Sequence, residues 1–184
     1  MDKDKTYSAF TGPNLLASGT LDEVLAALKS RFDDDAGTLF LIFDDQTGRQ
    51  VDFDLRGTLA DVRARYRAAP ARMGPGRPKL GVIAREVSLL PRHWEWLEQE
   101  PNGASAAIRR LVDEARKRNP GEQQARSAIE AAGRFLSAMA GDLPGYEEAS
   151  RALYCRNKKR FHEHTREWPR DIRLHAHHLV RGVL

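Results

Sequence analysis

Thr38-Leu39-Phe40-Leu41-Ile42-Phe43-Asp44-Asp45-Gln46-Thr47-Gly48-Arg49-Gln50-Val51-Asp52-Phe53-Asp54-Leu55 is the stretch that sets the fold class. Two apolar runs, Thr38 to Phe43 and Gln50 to Leu55, flank a polar segment closed by a glycine, which predicts a β-hairpin. Val51, Phe53 and Leu55 alternate with Asp52 and Asp54, so one face of the second strand is expected to be buried and the other wet. The acidic turn between the runs reads as solvated. Toward the N-terminus, Tyr7 to Phe10 and Leu15 to Ala17 read as two short strands around Thr11-Gly12-Pro13-Asn14. Thr20 followed by Glu23 is a capping box. It opens a helix with Leu21, Val24, Leu25 and Leu28 on one face. Thr58 caps a second helix, with Leu59, Val62 and Tyr66 inward. Residues 1–67 thus form a small α/β module.

Toward the C-terminus the pattern breaks. Ala68 to Lys79 holds three prolines and two glycines in twelve residues, so residues 68–80 read as a basic Pro/Gly linker. In residues 81–118, Gly81 to Leu89 is β-rich, with Ile83, Val87 and Leu89 on one parity. Pro91 then starts a short helix presenting Leu90, Trp94 and Leu97. Pro101-Asn102-Gly103 stops it. Ser105 caps a second helix whose stripe is Ile108, Leu111, Val112 and Ala115, and Asn119-Pro120 ends that one. Residues 119–184 read as a helical region. Its first stripe is Ala125, Ala128, Ile129, Ala132, Leu136 and Met139, its break falls at Gly141 to Gly145, and its last helix turns Ile172, Ala176, Leu179 and Val183 inward. The fold class is α+β: an N-terminal α/β module, a central strand-helix-helix segment and a C-terminal helical region.

Composition narrows the partners. The 184 residues are 41% apolar and 30% charged, a globular balance. No apolar run is long enough to cross a bilayer, and Met1-Asp2-Lys3-Asp4-Lys5 is no secretory leader. Cys155 is the single cysteine, which suits a reducing cytoplasm. The net charge of +4 hides an asymmetry: residues 1–55 carry eleven acids and five bases. An acidic head on a basic body points to separate modules, the basic one attracting polyanions. From Arg56 to Lys79 seven bases meet one acid, Asp61.

Two adjacent patterns fit DNA. Pro75-Gly76-Arg77-Pro78-Lys79 resembles the core of an AT-hook, in which an extended Gly-Arg-Pro lies in the minor groove. A narrow A·T groove has enhanced negative potential and accepts an inserted arginine. Arg85-Glu86-Val87-Ser88-Leu89-Leu90-Pro91, followed by Gly103-Ala104-Ser105 and Ile108-Arg109-Arg110-Leu111, resembles the ribbon-helix-helix fold of bacterial repressors and antitoxins. That resemblance implies a homodimer whose paired ribbons enter the major groove. It also implies that Gly103, Ala104 and Ser105 offer helix N–H groups to a phosphate, and that Ala84, Glu86 and Ser88 face bases. Glu86 would repel phosphates. A bulge or shifted register would turn Arg85 outward instead. A plain helix-turn-helix or ordinary packing would give the same pattern. The expected DNA-binding residues are Arg77, Pro78, Lys79, Arg85, Ser88, Gly103, Ser105, Arg109 and Arg110.

Phe43-Asp44-Asp45-Gln46-Thr47-Gly48-Arg49-Gln50-Val51-Asp52, Gly76-Arg77-Pro78-Lys79-Leu80-Gly81 and Leu90-Pro91-Arg92-His93-Trp94-Glu95-Trp96-Leu97 resemble an uncharacterised bacterial domain-of-unknown-function family of about this length. The resemblance spans nearly the whole chain and implies no activity. Phosphate-loop, nucleophile-elbow and zinc-protease motifs are missing. His175 and His178 are spaced to share a helix face, but read as packing or solvated surface, so no metal or cofactor is expected. Trp94, Trp96 and Trp168 read as core or interface anchors. The expectation is a non-enzymatic, cytoplasmic, dimeric DNA-binding regulator, with an unknown protein or ligand possible at the N-terminal module and no membrane partner. The alternative is an antitoxin-like protein-protein adaptor that binds no nucleic acid.

Overall fold

The computed structural model describes residues 5–35, 37–66, 85–118 and 120–184. The chain packs as two units, one built from Met1–Ala68 with Gln124–Leu184 and the other from Ala69–Gln123.

The first unit is built on an antiparallel sheet of order β2-β1-β3-β4, with β1 at Thr6–Thr11, β2 at Asn14–Thr20, β3 at Leu41–Asp44 and β4 at Arg49–Gln50. The central strand β1 pairs with β2 and with β3, placing Ala9 opposite both Ala17 and Ile42. Period-2 alternation sends its side chains to two cores. Tyr7 and Ala9 join Ile42, Leu55 and Val62 with Val24, Leu25 and Leu28 of α1 (Leu21–Asp34), and α2 spans Leu59–Tyr66. Phe10 and Phe43 join a core on the other parity, built with the C-terminal helices α5 (Pro120–Met139), α6 (Tyr146–Tyr154), α7 (Lys158–Thr165) and α8 (Arg170–Leu179). Phe135 of α5 meets Phe10 at 5.5 Å and Phe43 at 5.1 Å between ring centroids. The acidic head and the helical tail therefore share a core.

Local signals hold well here. The Thr20–Glu23 capping box forms, with the Thr20 N–H donating to the Glu23 carboxylate at 2.8 Å. Thr58 and Asp61 cap α2 in the same reciprocal way. The hairpin strands are shorter than expected. Thr38 bonds back to Asp35 in the turn after α1, and the chain leaves the ladder after Val51, whose N–H donates to the Ile42 carbonyl at 2.9 Å. Phe53 still packs edge-on against Tyr66 at 4.8 Å.

The hairpin turn corrects one expectation: Asp44 and Asp45 are not solvated. Asp44 accepts hydrogen bonds from the N–H groups of Gln46 and Thr47 at 3.1 Å and pairs with Lys5 at 2.7 Å. The Asp45 side chain is buried, with its Oδ1 3.5 Å from Nε2 of His175 on α8. The turn folds under the C-terminal helices because Gly48 presents no side chain: a Cβ there would stand 2.0 Å from the Ala131 carbonyl oxygen. Arg134 of α5 donates to the Thr47 carbonyl at 2.6 Å.

The second unit contains two helices among its described residues, α3 (Pro91–Gln99) and α4 (Gly103–Arg118). Pro91 is the first residue of α3, as its preset φ favours. Asn102 and Gly103, both at positive φ, make the turn into α4.

Candidate nucleic-acid interface

The nine residues expected to contact DNA divide into three groups. Arg77, Pro78 and Lys79 lie outside the described residues, as does Ala84. Arg85 and Ser88 are exposed, in a segment from Arg85 to Leu90 that has no strand conformation. The expected ribbon is therefore not formed over its described half. An isolated strand leaves its N–H and C=O groups without a ladder, and no neighbouring strand of this unit is present among the described residues. Gly103, Ser105, Arg109 and Arg110 fall together on α4. That helix begins at Gly103, so Ser105 lies inside its first turn instead of capping it. A Cβ on Gly103 would meet nothing within 4 Å, so the backbone there is open.

The bases are not equivalent. Arg110 is held by Glu100 at 2.6 Å and Glu114 at 3.3 Å, because one helical step of 100° turns it toward the C-terminal end of α3. Arg118 lies 3.8 Å from Glu114. Arg109, Arg116 and Lys117 are exposed and pair with no carboxylate among the described residues. The base-rich run beginning at Arg56 shrinks as well. Arg56 and Arg65 pair with Asp54, holding its carboxyl well below the usual carboxylate range, and Arg63 pairs with Asp22 at 2.8 Å. Each of these three arginines is paired with a carboxylate of the first unit. Arg67 and Arg72 are outside the described residues.

The neighbouring arc of α4 is apolar and uncovered. Only Leu97 and Ala107 are buried within the pair of helices, while Trp96 is 46% exposed and Val112 51%. Val87, Leu90, Trp94 and Leu111 are also exposed. Leu89, Arg92, His93, Trp96, Leu97, Ile108 and Leu111 line a groove of about 530 Å³. Trp168, by contrast, is a core anchor, its indole N–H donating to the Pro144 carbonyl at 2.8 Å. Sequence reading treated the C-terminal histidines as packing or surface. It missed that α7 and α8 bring His162 and His177 together, with ring centroids 4.0 Å apart. His162-Glu163-His164-Thr165-Arg166 on and just after one helix and Arg173-Leu174-x₂-His177 on the next carried that signal.

The geometry defines a class: an α+β protein with a two-cored sheet unit and a separate amphipathic helix pair that carries an exposed apolar arc and exposed bases. Among the described residues no helix is long and apolar enough to cross a membrane. Residues 6–180 match the family model described as an uncharacterized protein conserved in bacteria (DUF2239), and the chain belongs to that family. No curated protein and no solved structure matches it.

Proposed function

We propose that the protein is a homodimeric bacterial DNA-binding regulator in which the helix pair supplies both the dimer contact and the DNA contact. The observation that carries this reading is the two-sided character of α4. Ile108, Leu111, Val112 and Ala115 occupy one arc, while Arg109, Arg116 and Lys117 occupy the neighbouring arc, which carries one acid, Asp113, and no ion pair to these three bases among the described residues. A monomer leaves the apolar arc wet. Covering six half-exposed apolar side chains per copy is worth roughly 10 kcal/mol gross per dimer, comparable to the cost of association. The second copy is the occupant that the resemblance to ribbon-helix-helix proteins implies. In that arrangement the Arg85–Leu90 segment gains its ladder partner only in the dimer, and each α4 turns its basic arc to phosphates. The basic linker with Arg77, Pro78 and Lys79 adds a minor-groove contact, and Arg85, Ser88, Gly103 and Ser105 complete the interface.

The groove also favours the reading as a protein-protein adaptor, and one set of measurements separates the two. Sedimentation gives the dimer, and a gel-shift titration with random and A·T-rich duplexes gives DNA affinity. The expected results are a dimer at ~10 μM and binding tighter than ~10 μM at low salt, with a steep salt dependence. Arg109→Gln with Arg116→Gln weakens DNA binding and flattens the salt slope by about one per lost phosphate contact. Leu111→Glu abolishes the dimer and DNA binding together. A dimer that binds no duplex at ~10 μM in low salt overturns the DNA reading.

A further inference from the structure

We infer that the cleft between α7 and α8, on the sheet-containing unit, binds a small phosphate monoester. Its walls are His162 and Arg166 on one side and Arg173, Leu174 and His177 on the other, around a volume of about 330 Å³. That is the lower end of small-ligand pockets. Two guanidiniums and two imidazoles line it, and no lining residue is a carboxylate. Arginine forks match the oxygens of a phosphate in bidentate geometry.

Of the surrounding acids, Asp171 and Glu163 are engaged elsewhere, and Glu167 pairs with Arg166 at the rim. On α8, Asp171 accepts the Leu15 N–H at 2.9 Å. On α7, Glu163 lies 4.0 Å from Lys159. Glu167, beside Arg166 at 3.6 Å, is largely solvated. The remaining charged neighbour acting on His177 is Lys158, another cation. Net positive charge around a concave, partly desolvated site, offset only by the solvated Glu167, attracts a phosphate anion. Leu174, 52% exposed at the same cleft, offers an apolar wall to the organic part of an ester, which inorganic phosphate would leave unused.

His177 is set up to respond. The Thr165 hydroxyl donates to the Phe161 carbonyl at 2.9 Å, so its oxygen accepts from Nε2–H of His177, also at 2.9 Å. The neutral ring therefore holds its proton on Nε2, and Nδ1 takes the second one. Burial, then His162, Arg173 and Lys158, pull the His177 pKa down to about 4. A phosphate ester in the cleft, a monoanion near that pH, offsets those cations and raises it.

The test follows the imidazole NMR signals of the whole protein at constant ionic strength, with glycerol phosphate, inorganic phosphate, glycerol and a short DNA duplex as separate probes. Glycerol phosphate should shift the His162 and His177 signals saturably at ~1 mM. It should raise the His177 midpoint by about one pH unit, while inorganic phosphate binds more weakly and glycerol has no effect. Arg173→Gln should weaken binding about tenfold. Because the Arg173 guanidinium also donates to the Arg166 carbonyl at 2.6 Å, Arg166→Gln is the second variant and should weaken binding without loosening that turn. Arg118→Gln, on the other unit, should leave affinity unchanged. The assignment is overturned by no saturable shift, by equal binding of glycerol, by equal loss in Arg118→Gln, or by a duplex that moves the same signals and displaces the ester. Failure here leaves the DNA reading of α4 untouched, since the two use different units and different residues.

Discussion

Gly48 shows how one atom's absence positions a whole turn. Its φ of +64° lies in the left-handed region, and a methyl there would stand 2.0 Å from the Ala131 carbonyl oxygen. Gly12 has a similar φ of +54° with nothing within 4 Å. Gly12→Ala should therefore cost only the left-handed penalty, about 1 kcal/mol. Gly48→Ala should cost at least about 3 kcal/mol, because α5 must move as well. Urea denaturation of the two variants gives the difference, and equal losses would show that the turn is not seated against α5. The buried partner of that turn, His175, supplies a pH signature. Phe10 and Phe135 pack on its ring, Asp45 lies 3.5 Å away, and His178 stacks from the same helix. Burial lowers its pKa to about 4, with Asp45 opposing and His178 assisting. The folded value is below the ordinary 6.5, so the unfolded chain takes up the proton first as pH falls. Stability is therefore complete above pH 6.5 and lost as pH drops from 6.5 toward 4, by up to about 1.4 kcal/mol per pH unit. His175→Gln should flatten that loss, though not abolish it, since His177 titrates in the same window. A wild-type urea midpoint that stays constant between pH 4 and 6.5 would contradict a buried neutral His175.

The elements that were legible in the sequence are those specified by their own residues. The capping boxes at Thr20 and Thr58, Pro91 at the start of α3 and the stop after Arg118 rest on contacts within a few residues, and the stripes of α5 and α8 show in their own periodicity. What was not legible depends on partners far along the chain. Asp45 reads as a solvated turn residue until α8, some 130 residues later, places His175 against it. Arg63 reads as part of a cationic run until the fold brings up Asp22, 41 residues earlier. The candidate DNA surface is a mixed case. Its stripe and its bases on α4 follow from 3.6-residue periodicity, but the loss of Arg110 to Glu100 depends on how the turn at Asn102 and Gly103 closes α3 onto α4. The Arg85–Leu90 segment departs from its β-rich pattern for a related reason. Strand propensity expresses packing and ladder formation against a neighbour, and this unit offers none among its described residues.

At the scale of the whole molecule, the sequence suggests an N-terminal module ending at residue 67 and a helical region starting at 119, whereas the packing joins them. Phe10 and Phe43 are buried with Ile129, Phe135, Leu136, Leu153, Phe161 and Trp168. Removing the C-terminal helices would expose both phenylalanines and the whole parity of β1 that faces them, at about 2 kcal/mol or more for each large side chain. A domain of this size has only about 5–15 kcal/mol in hand. Two fragments follow from that arithmetic. Residues 1–67 alone should fail to give a cooperative unfolding transition, despite their well-formed caps and turn signals. A chain in which residues 69–123 are replaced by a flexible linker of about 20 residues should keep the thermal transition of the sheet unit and its loss of stability below pH 6.5, while losing DNA binding. Differential scanning calorimetry and circular dichroism distinguish these outcomes. A cooperative transition from residues 1–67 alone would mean that the core around Tyr7, Val24, Leu28 and Val62 suffices, and that the aromatic cluster joining the chain's two ends adds stability without defining the fold.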